Sequence, residues 1–106
     1  MKITDLRVYL TRAGTGRTWV FVEVDTDEGI TGVGESTNSG GGGGIMVAHA
    51  YELIRADLEY FDFAQGLIGQ DPAHIDRIWH TIYRRFGTLG SRGFATTLCS
   101  GIDMAL

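Results

Sequence analysis

The stretch from Trp19 to Ser36, WVFVEVDTDEGITGVGES, decides the fold that the sequence predicts. Its first half alternates with a period of two, and places Val20, Val22 and Val24 on one side and Trp19, Phe21 and Glu23 on the other. β-Branched and aromatic residues in this pattern are typical of a half-buried strand. Asp27-Glu28-Gly29 then supplies a tight turn before Ile30. The stretch therefore predicts a β-hairpin.

A further strand is predicted upstream, from about Lys2 to Thr11. Leu6, Val8 and Leu10 share one side of it, and Asp5, Arg7 and Tyr9 share the other. Glycine-rich loops are predicted at Arg12 to Gly16 (RAGTG) and at Thr37 to Gly44 (TNSGGGGG), both at strand ends. The first third of the chain thus indicates a three-stranded antiparallel β-meander.

From Ile45 onward the apolar spacing becomes helical. The predicted first helix carries its apolar stripe at Val47, Ala50, Tyr51, Ile54, Leu58 and Phe61. A second helix is expected to begin at Asp71-Pro72, with aspartate as N-cap, and to stop at Gly87. A third opens near Gly93 with apolar residues at Phe94, Leu98, Ile102 and Ala105, a side that we expect to stay partly exposed. Strands followed by a three-helix bundle predict an α+β fold in one domain, residues 1–106.

Composition excludes several classes of protein. The net charge is −4 and Lys2 is the single lysine, so no basic surface is available for a nucleic acid. The single cysteine, Cys99, cannot form a disulfide within the chain. No apolar run is long enough to span a membrane, and the N-terminus lacks the order of a signal peptide. We therefore expect a cytoplasmic protein that binds no membrane.

Motifs for metals and nucleotides are incomplete. Asp25-x-Asp27 with Gly29 resembles the start of a calcium loop, but Ser36 stands where the bidentate glutamate belongs, which favours a solvated hairpin turn. The two Gly-x-Gly pairs, Gly14 with Gly16 and Gly32 with Gly34, lack the third glycine of a dinucleotide fingerprint.

Two further features leave their interpretation open. The run Gly40 to Gly44 precedes a predicted helix, so it could cradle an anion or serve as a flexible connector. The histidines are His49, His74 and His80; the last two lie on different helix faces, which argues against a zinc pair and favours surface positions.

Three blocks in one order carry a resemblance: WVFVEVDTDEGITGVGES, the inter-helix LIGQDPAHIDRIW and the closing SGIDMAL. With them the chain resembles the N-terminal capping domain of the enolase superfamily, in its mandelate racemase and muconate lactonizing subgroup. LIGQDP followed by IYRRF is more similar to the acid-sugar dehydratases than to the racemases or cycloisomerases. In that family a (β/α) barrel follows, which this chain lacks, and the last helix carries no stop signal. We therefore expect the chain to be a fragment.

The resemblance implies that catalysis and the covering of the substrate belong to different domains. The family's acid/base residue and its Mg²⁺ ligands lie in the barrel, where a proton α to a carboxylate is abstracted. No residue of this chain matches those positions, so no catalytic or metal-binding residue is assigned to it and the 106 residues alone are expected to be inactive. The resemblance implies instead that the loops Arg12 to Arg17 and Thr37 to Gly44 form a lid, which closes over the barrel mouth and contacts the far end of a carboxylate substrate. If that substrate is a sugar acid, Thr15, Arg17, Thr37 and Asn38 would suit its hydroxyl or carboxylate groups; the alternative is that they are solvated loop side chains. The resemblance also implies a homo-oligomer.

Other functions remain open at this point. The complete protein could be a racemase or a cycloisomerase of the same superfamily. The chain could instead be a free-standing α+β binding or assembly module without catalysis, whose helices bury one face against a partner.

Overall fold

In the computed structural model, the residues described are 1–12, 14, 18–37, 67–85 and 92–106. They form three strands and two helices: β1 (Ile3–Arg12), β2 (Thr18–Thr26), β3 (Thr31–Glu35), α1 (Ile75–Arg85) and α2 (Phe94–Ala105). The predicted first helix, together with the glycine run and His49, lies outside the described residues. The structure thus confirms the α+β class, with two helices described where the sequence predicted three.

The strands form one antiparallel sheet in the order β1-β2-β3, as predicted. Val20, Val22 and Val24 are buried on its inner face. At the predicted hairpin turn, Gly29 takes a φ of 77°, and its N–H donates to the Thr26 carbonyl at 3.1 Å. The turn requires this left-handed conformation, which glycine adopts without steric cost. The hairpin prediction is confirmed.

Strand β1 departs from the prediction at both ends. A bulge between Ile3 and Asp5 changes the alternation, so that Ile3 and Leu6 are both buried although they are three residues apart. Leu10, predicted to lie on the same side of the strand as Leu6, is 51% exposed. Among the described elements, α2 packs over β3 and β2, and this leaves the far end of β1 without cover.

Helix α1 begins at Ile75 rather than at Asp71, so the predicted start was wrong by one turn. The Asp71 carboxylate accepts a hydrogen bond from Ala73 N at 2.9 Å, and His74 N donates to the Asp71 carbonyl at 3.0 Å. Asp71 therefore closes a separate turn, because aspartate bonds its own following backbone as readily as it caps a helix. The predicted stop, Gly87, lies outside the described residues.

Helix α2 begins where the sequence predicted, directly after Gly93, whose φ is 100°. Its residues Leu98 and Ile102 are 0% and 2% exposed. The expectation that this side would stay partly open was wrong for these two residues, because α2 lies directly on the sheet. The core joins the inner face of the sheet to both helices and comprises Ile3, Leu6, Val20, Val22, Val24, Leu67, Ile78, Ile82, Leu98, Cys99, Ile102 and Ala105.

Two glycines of β3 allow α2 to approach so closely. A Cβ on Gly32 would collide with the carbonyl oxygen of Ala105, and a Cβ on Gly34 with that of Gly101. At the two glycines of this Gly-x-Gly, the backbone of β3 therefore lies against the backbone of α2. This contact joins the GVGE segment of β3 to the SGIDMA segment of α2.

Candidate functional site

The end of β3 is fixed to β2 by a side chain. Ser36 N donates to the Val20 carbonyl at 2.8 Å, and Val20 N donates to Thr37 Oγ1 at 3.2 Å. The Thr37 hydroxyl thus takes the place of a backbone acceptor in the ladder. A hydroxyl that accepts in this way can still donate its own proton.

A groove of about 460 Å³ opens beside Thr37. It is bounded by the end of β3 and by the start of α2, and its lining residues are Glu35, Thr37, Arg92, Gly93, Thr96, Thr97 and Ser100. The Gly32 and Gly34 contacts hold these two walls together. The groove is therefore a product of the same strand-helix approach that defines the fold.

Both hydrogen-bond donors and hydrogen-bond acceptors line the groove. Arg92 and the Thr37 hydroxyl supply hydrogen-bond donors, and Glu35 supplies an acceptor. The Thr97 hydroxyl donates to the Gly93 carbonyl at 3.1 Å, which leaves its oxygen as a further acceptor. A ligand that carries a carboxylate and several hydroxyl groups would match this arrangement.

One of the four predicted lid residues, Thr37, lies in the groove. The other three, Thr15, Arg17 and Asn38, fall outside the described residues. Sequence reasoning missed Arg92, Thr96 and Ser100, because it treated the start of the last helix as structural. The signal present in the sequence is a group of hydroxyl residues, Thr96, Thr97 and Ser100, that begins four residues after Arg92.

A separate network of charges crosses the opposite face of the sheet. Arg7 Nη2 lies 2.7 Å from Asp25 Oδ2 and 3.2 Å from Glu23 Oε2. Tyr9 Oη donates to Glu23 Oε2 at 3.0 Å, and this hydrogen bond raises the pKa of Tyr9. The Thr31 hydroxyl donates to Asp25 Oδ1 at 2.7 Å and, with Arg7, lowers the pKa of the Asp25 carboxyl.

These contacts bear on the calcium hypothesis. Asp25 is committed to Arg7 and Thr31, and Asp27 Oδ1 accepts a hydrogen bond from Lys2 N at 2.7 Å. Within the described ranges, no three His, Cys, Asp or Glu residues come close enough to share a metal ion. The carboxylates at this hairpin therefore do not fit a calcium or magnesium site.

The remaining candidate residues in the described part of the chain are the two histidines of the α1 region and Cys99. His74 and His80 are both exposed, as predicted; His74 Nδ1 lies 3.3 Å from Arg77 Nη2, and the His80 ring meets Trp79 edge-on at 5.3 Å. Cys99 is 2% exposed, and burial raises the pKa of its thiol to about 11. A protonated, buried thiol is a poor nucleophile.

Comparison with known proteins places the fold in a family. Residues 7–106 match the family described as mandelate racemase / muconate lactonizing enzyme, N-terminal domain. The chain therefore belongs to this family, whose strand-helix architecture is the one described above. The resemblance drawn from the three sequence blocks is confirmed.

Relatives and solved structures agree with this assignment. The whole chain aligns with a D-galactonate dehydratase from Variovorax paradoxus at 34% identity and with one from Xanthomonas euvesicatoria at 36%. A racemase from Streptomyces coelicolor, solved with bound magnesium, is similar over 97% of this chain and 28% of its own, with 28% identity and a TM-score of 0.78. A 3,6-anhydro-D-galactonate cycloisomerase from Zobellia galactanivorans shares the fold, with a TM-score of 0.78 at 20% identity over 99% of this chain and 27% of its own.

The chain spans 24% of the length of these two dehydratases. In the part of the chain that is described, no helix has the length and hydropathy needed to cross a membrane.

Proposed function

We propose that residues 1–106 form the lid and substrate-specificity domain of a larger enzyme that dehydrates a sugar acid. One observation carries this proposal: the groove of about 460 Å³ brings Thr37, at the end of β3, together with Arg92 at the start of α2. Thr15, Arg17 and Asn38 are proposed to contact the same substrate. The domain would close over the substrate and exclude water from it.

The chemistry of the groove supports a sugar acid as the ligand. Such a molecule combines a carboxylate, which an arginine binds well, with hydroxyl groups that both donate and accept hydrogen bonds. Relatives that are 34% and 36% identical over the whole chain are D-galactonate dehydratases. The groove thus supports the class of ligand, and these relatives favour dehydration over the alternatives.

In the proposed reaction a proton α to the carboxylate is abstracted, and a metal ion would stabilise the charge that develops. The described carboxylates of this chain do not fit Mg²⁺, since Asp25 is occupied by Arg7 and Thr31. We therefore assign to this chain only binding, orientation of the substrate and exclusion of water. The proton transfer and the metal are assigned to a barrel domain of the complete protein.

Steady-state kinetics of the complete protein with D-galactonate and related sugar acids tests this proposal. Thr37→Val removes the hydroxyl, whereas the control Thr37→Ser keeps it. We expect the KM of Thr37→Val to rise from a few-fold to about tenfold, the value of one hydrogen bond, with a smaller change in kcat. Equal kinetics for wild type, Thr37→Val and Thr37→Ser would contradict a substrate contact at Thr37.

Product analysis separates the dehydratase from its rivals. A dehydratase releases water and yields a keto acid, whereas a racemase or a cycloisomerase yields an isomer of the substrate. The similarity to the Streptomyces racemase makes the isomer a real alternative. Absence of turnover with every sugar acid tested would favour an assembly module without catalysis.

The proposal also includes a homo-oligomer. Light scattering on the complete protein after size exclusion gives its mass directly. A monomeric mass at working concentration would contradict this part of the proposal and leave the catalytic part intact.

A further inference from the structure

The sugar acid of the proposed reaction has two ends, and the two ends meet different domains. The proton that is lost lies α to one carboxylate, and this carboxylate would bind with the metal in the barrel domain. The opposite end of the molecule is then left for the groove between β3 and α2. The groups that line the groove therefore decide whether that end carries a hydroxyl group or a second carboxylate.

Arg92 is the cation among the described residues that line the groove. Its side chain is exposed, and none of the ion pairs between described residues includes it. A guanidinium binds a carboxylate through two parallel hydrogen bonds, and charge strengthens both of them. A sugar hydroxyl accepts hydrogen bonds from the same group without that gain. Arg92 therefore favours a ligand that is anionic at this end.

The side chain of Glu35 leaves its strand on the other face. Gly34 faces α2, because a Cβ on it would collide with the carbonyl oxygen of Gly101. Side chains alternate along a strand, so the side chain of Glu35 starts from the face opposite α2. What Glu35 offers on the α2 side is its backbone, whose carbonyl is an uncharged acceptor. The charge that α2 brings to the groove is thus not offset from β3.

The first turn of α2 adds to the positive character of the groove. Its N-cap, Gly93, has no side chain to accept from the helix N–H groups, and the first turn contains no acidic residue. The N–H groups at the start of a helix carry a partial positive charge. Thr37 and Ser100 lie in the same lining, and a hydroxyl of this kind can donate a hydrogen bond. The described lining thus combines one full positive charge with several donors.

We propose that Arg92 selects a substrate with a carboxylate at both ends, a sugar diacid. The inference rests on the proposed function and narrows its substrate class. The reaction remains a dehydration: the proton α to the first carboxylate and the hydroxyl group of the neighbouring carbon leave as one molecule of water, and the resulting enol becomes a keto acid. The second carboxylate is unchanged by the reaction. Arg92 is therefore a specificity-determining residue that binds this carboxylate.

Two substrates that differ at one end test this inference. D-Galactonate ends in a CH2OH group, whereas galactarate carries a carboxylate at that carbon and has the same configuration elsewhere. The kcat/KM of the complete protein is measured for both. We expect the wild type to prefer galactarate by about tenfold or more, because a hydrogen bond between charged groups is stronger than one to a hydroxyl.

Variants of Arg92 assign the preference to its charge. In Arg92→Gln the ratio of the two kcat/KM values should fall by about tenfold, mainly through a higher KM for galactarate. Arg92→Lys keeps the charge and should keep most of the preference. Arg84→Gln makes the same change on α1, outside the described lining of the groove, and should keep the wild-type ratio. A variant that folds poorly loses activity toward both acids, so the ratio reports substrate choice alone.

The outcomes separate this inference from the proposed function. A wild type that dehydrates D-galactonate and does not prefer galactarate would overturn the inference and leave the dehydratase intact. A wild-type ratio in Arg92→Gln, or equal losses of the ratio in Arg92→Gln and Arg92→Lys, would do the same. Turnover of neither acid would overturn the inference together with the proposed function.

Discussion

At the scale of single residues, Asp25 links all three strands. Its carboxylate accepts a hydrogen bond from Thr31 on β3 and pairs with Arg7 on β1. Thr31→Val removes the first of these contacts, so the pKa of Asp25 should rise toward its ordinary value. A carbon-detected NMR titration of the carboxyl measures the change, and Thr31→Ser, which keeps the hydroxyl, is the control.

The sign of the effect on stability follows from linkage. Because the native pKa of Asp25 is lowered, its contribution to the free energy of unfolding is present at neutral pH and is lost as the pH falls through that native value. Thr31→Val should therefore cost more stability at neutral pH than in strong acid. An unchanged pKa of Asp25 in Thr31→Val would show that the hydroxyl does not set it.

At the scale of elements, the contact between β3 and α2 depends on glycine. Gly34→Ala would force a Cβ onto the carbonyl oxygen of Gly101. Since both atoms belong to backbone, neither side can yield cheaply, and we expect a loss of about 1–3 kcal/mol in the free energy of unfolding. Gly14→Ala, where a Cβ would meet no atom within 4 Å, is the matched control.

Urea denaturation of both variants gives the comparison. If Gly34→Ala and Gly14→Ala unfold at the same urea concentration as the wild type, the helix does not lie against the strand as described.

Some features of these elements could be predicted from the sequence, and others could not. The hairpin and the buried valines of β2 were predictable because a period of two and a turn at Gly29 are local signals. The start of α1 was misplaced by one turn, since Asp71 has the chemistry of both a cap and a turn. The groove could not be predicted in this way. Thr37 and Arg92 line it together because α2 lies against β3 at Gly34, and that contact joins segments far apart in the chain.

At the scale of the whole molecule, stability rests on the layer between sheet and helices. Leu98→Ala empties a site that is 0% exposed, and should cost about 2–5 kcal/mol. Leu10→Ala makes the same chemical change at a position that is 51% exposed, and should stay within about 0.5 kcal/mol of the wild type. Thermal and urea unfolding measure both, and similar losses would mean that the core is not where the structure has it.

The hydrogen bonds that join Ile3 to residues 69 and 70, here called the Ile3 junction, affect the order in which the fold can form during synthesis. Ile3 N donates to the Gln70 carbonyl and Gly69 N donates to the Ile3 carbonyl, both at 2.8 Å. Within the described sheet, by contrast, each strand pairs with its neighbours in sequence. The meander can therefore form as soon as its residues leave the ribosome, whereas the Ile3 junction and the seat of α2 must wait for the rest of the chain. The inner face of the sheet is covered by α2 only when that helix packs on β2 and β3. During that interval Val20, Val22 and Val24 are open to other chains, and nascent-chain binding by chaperones should be greatest before α2 emerges.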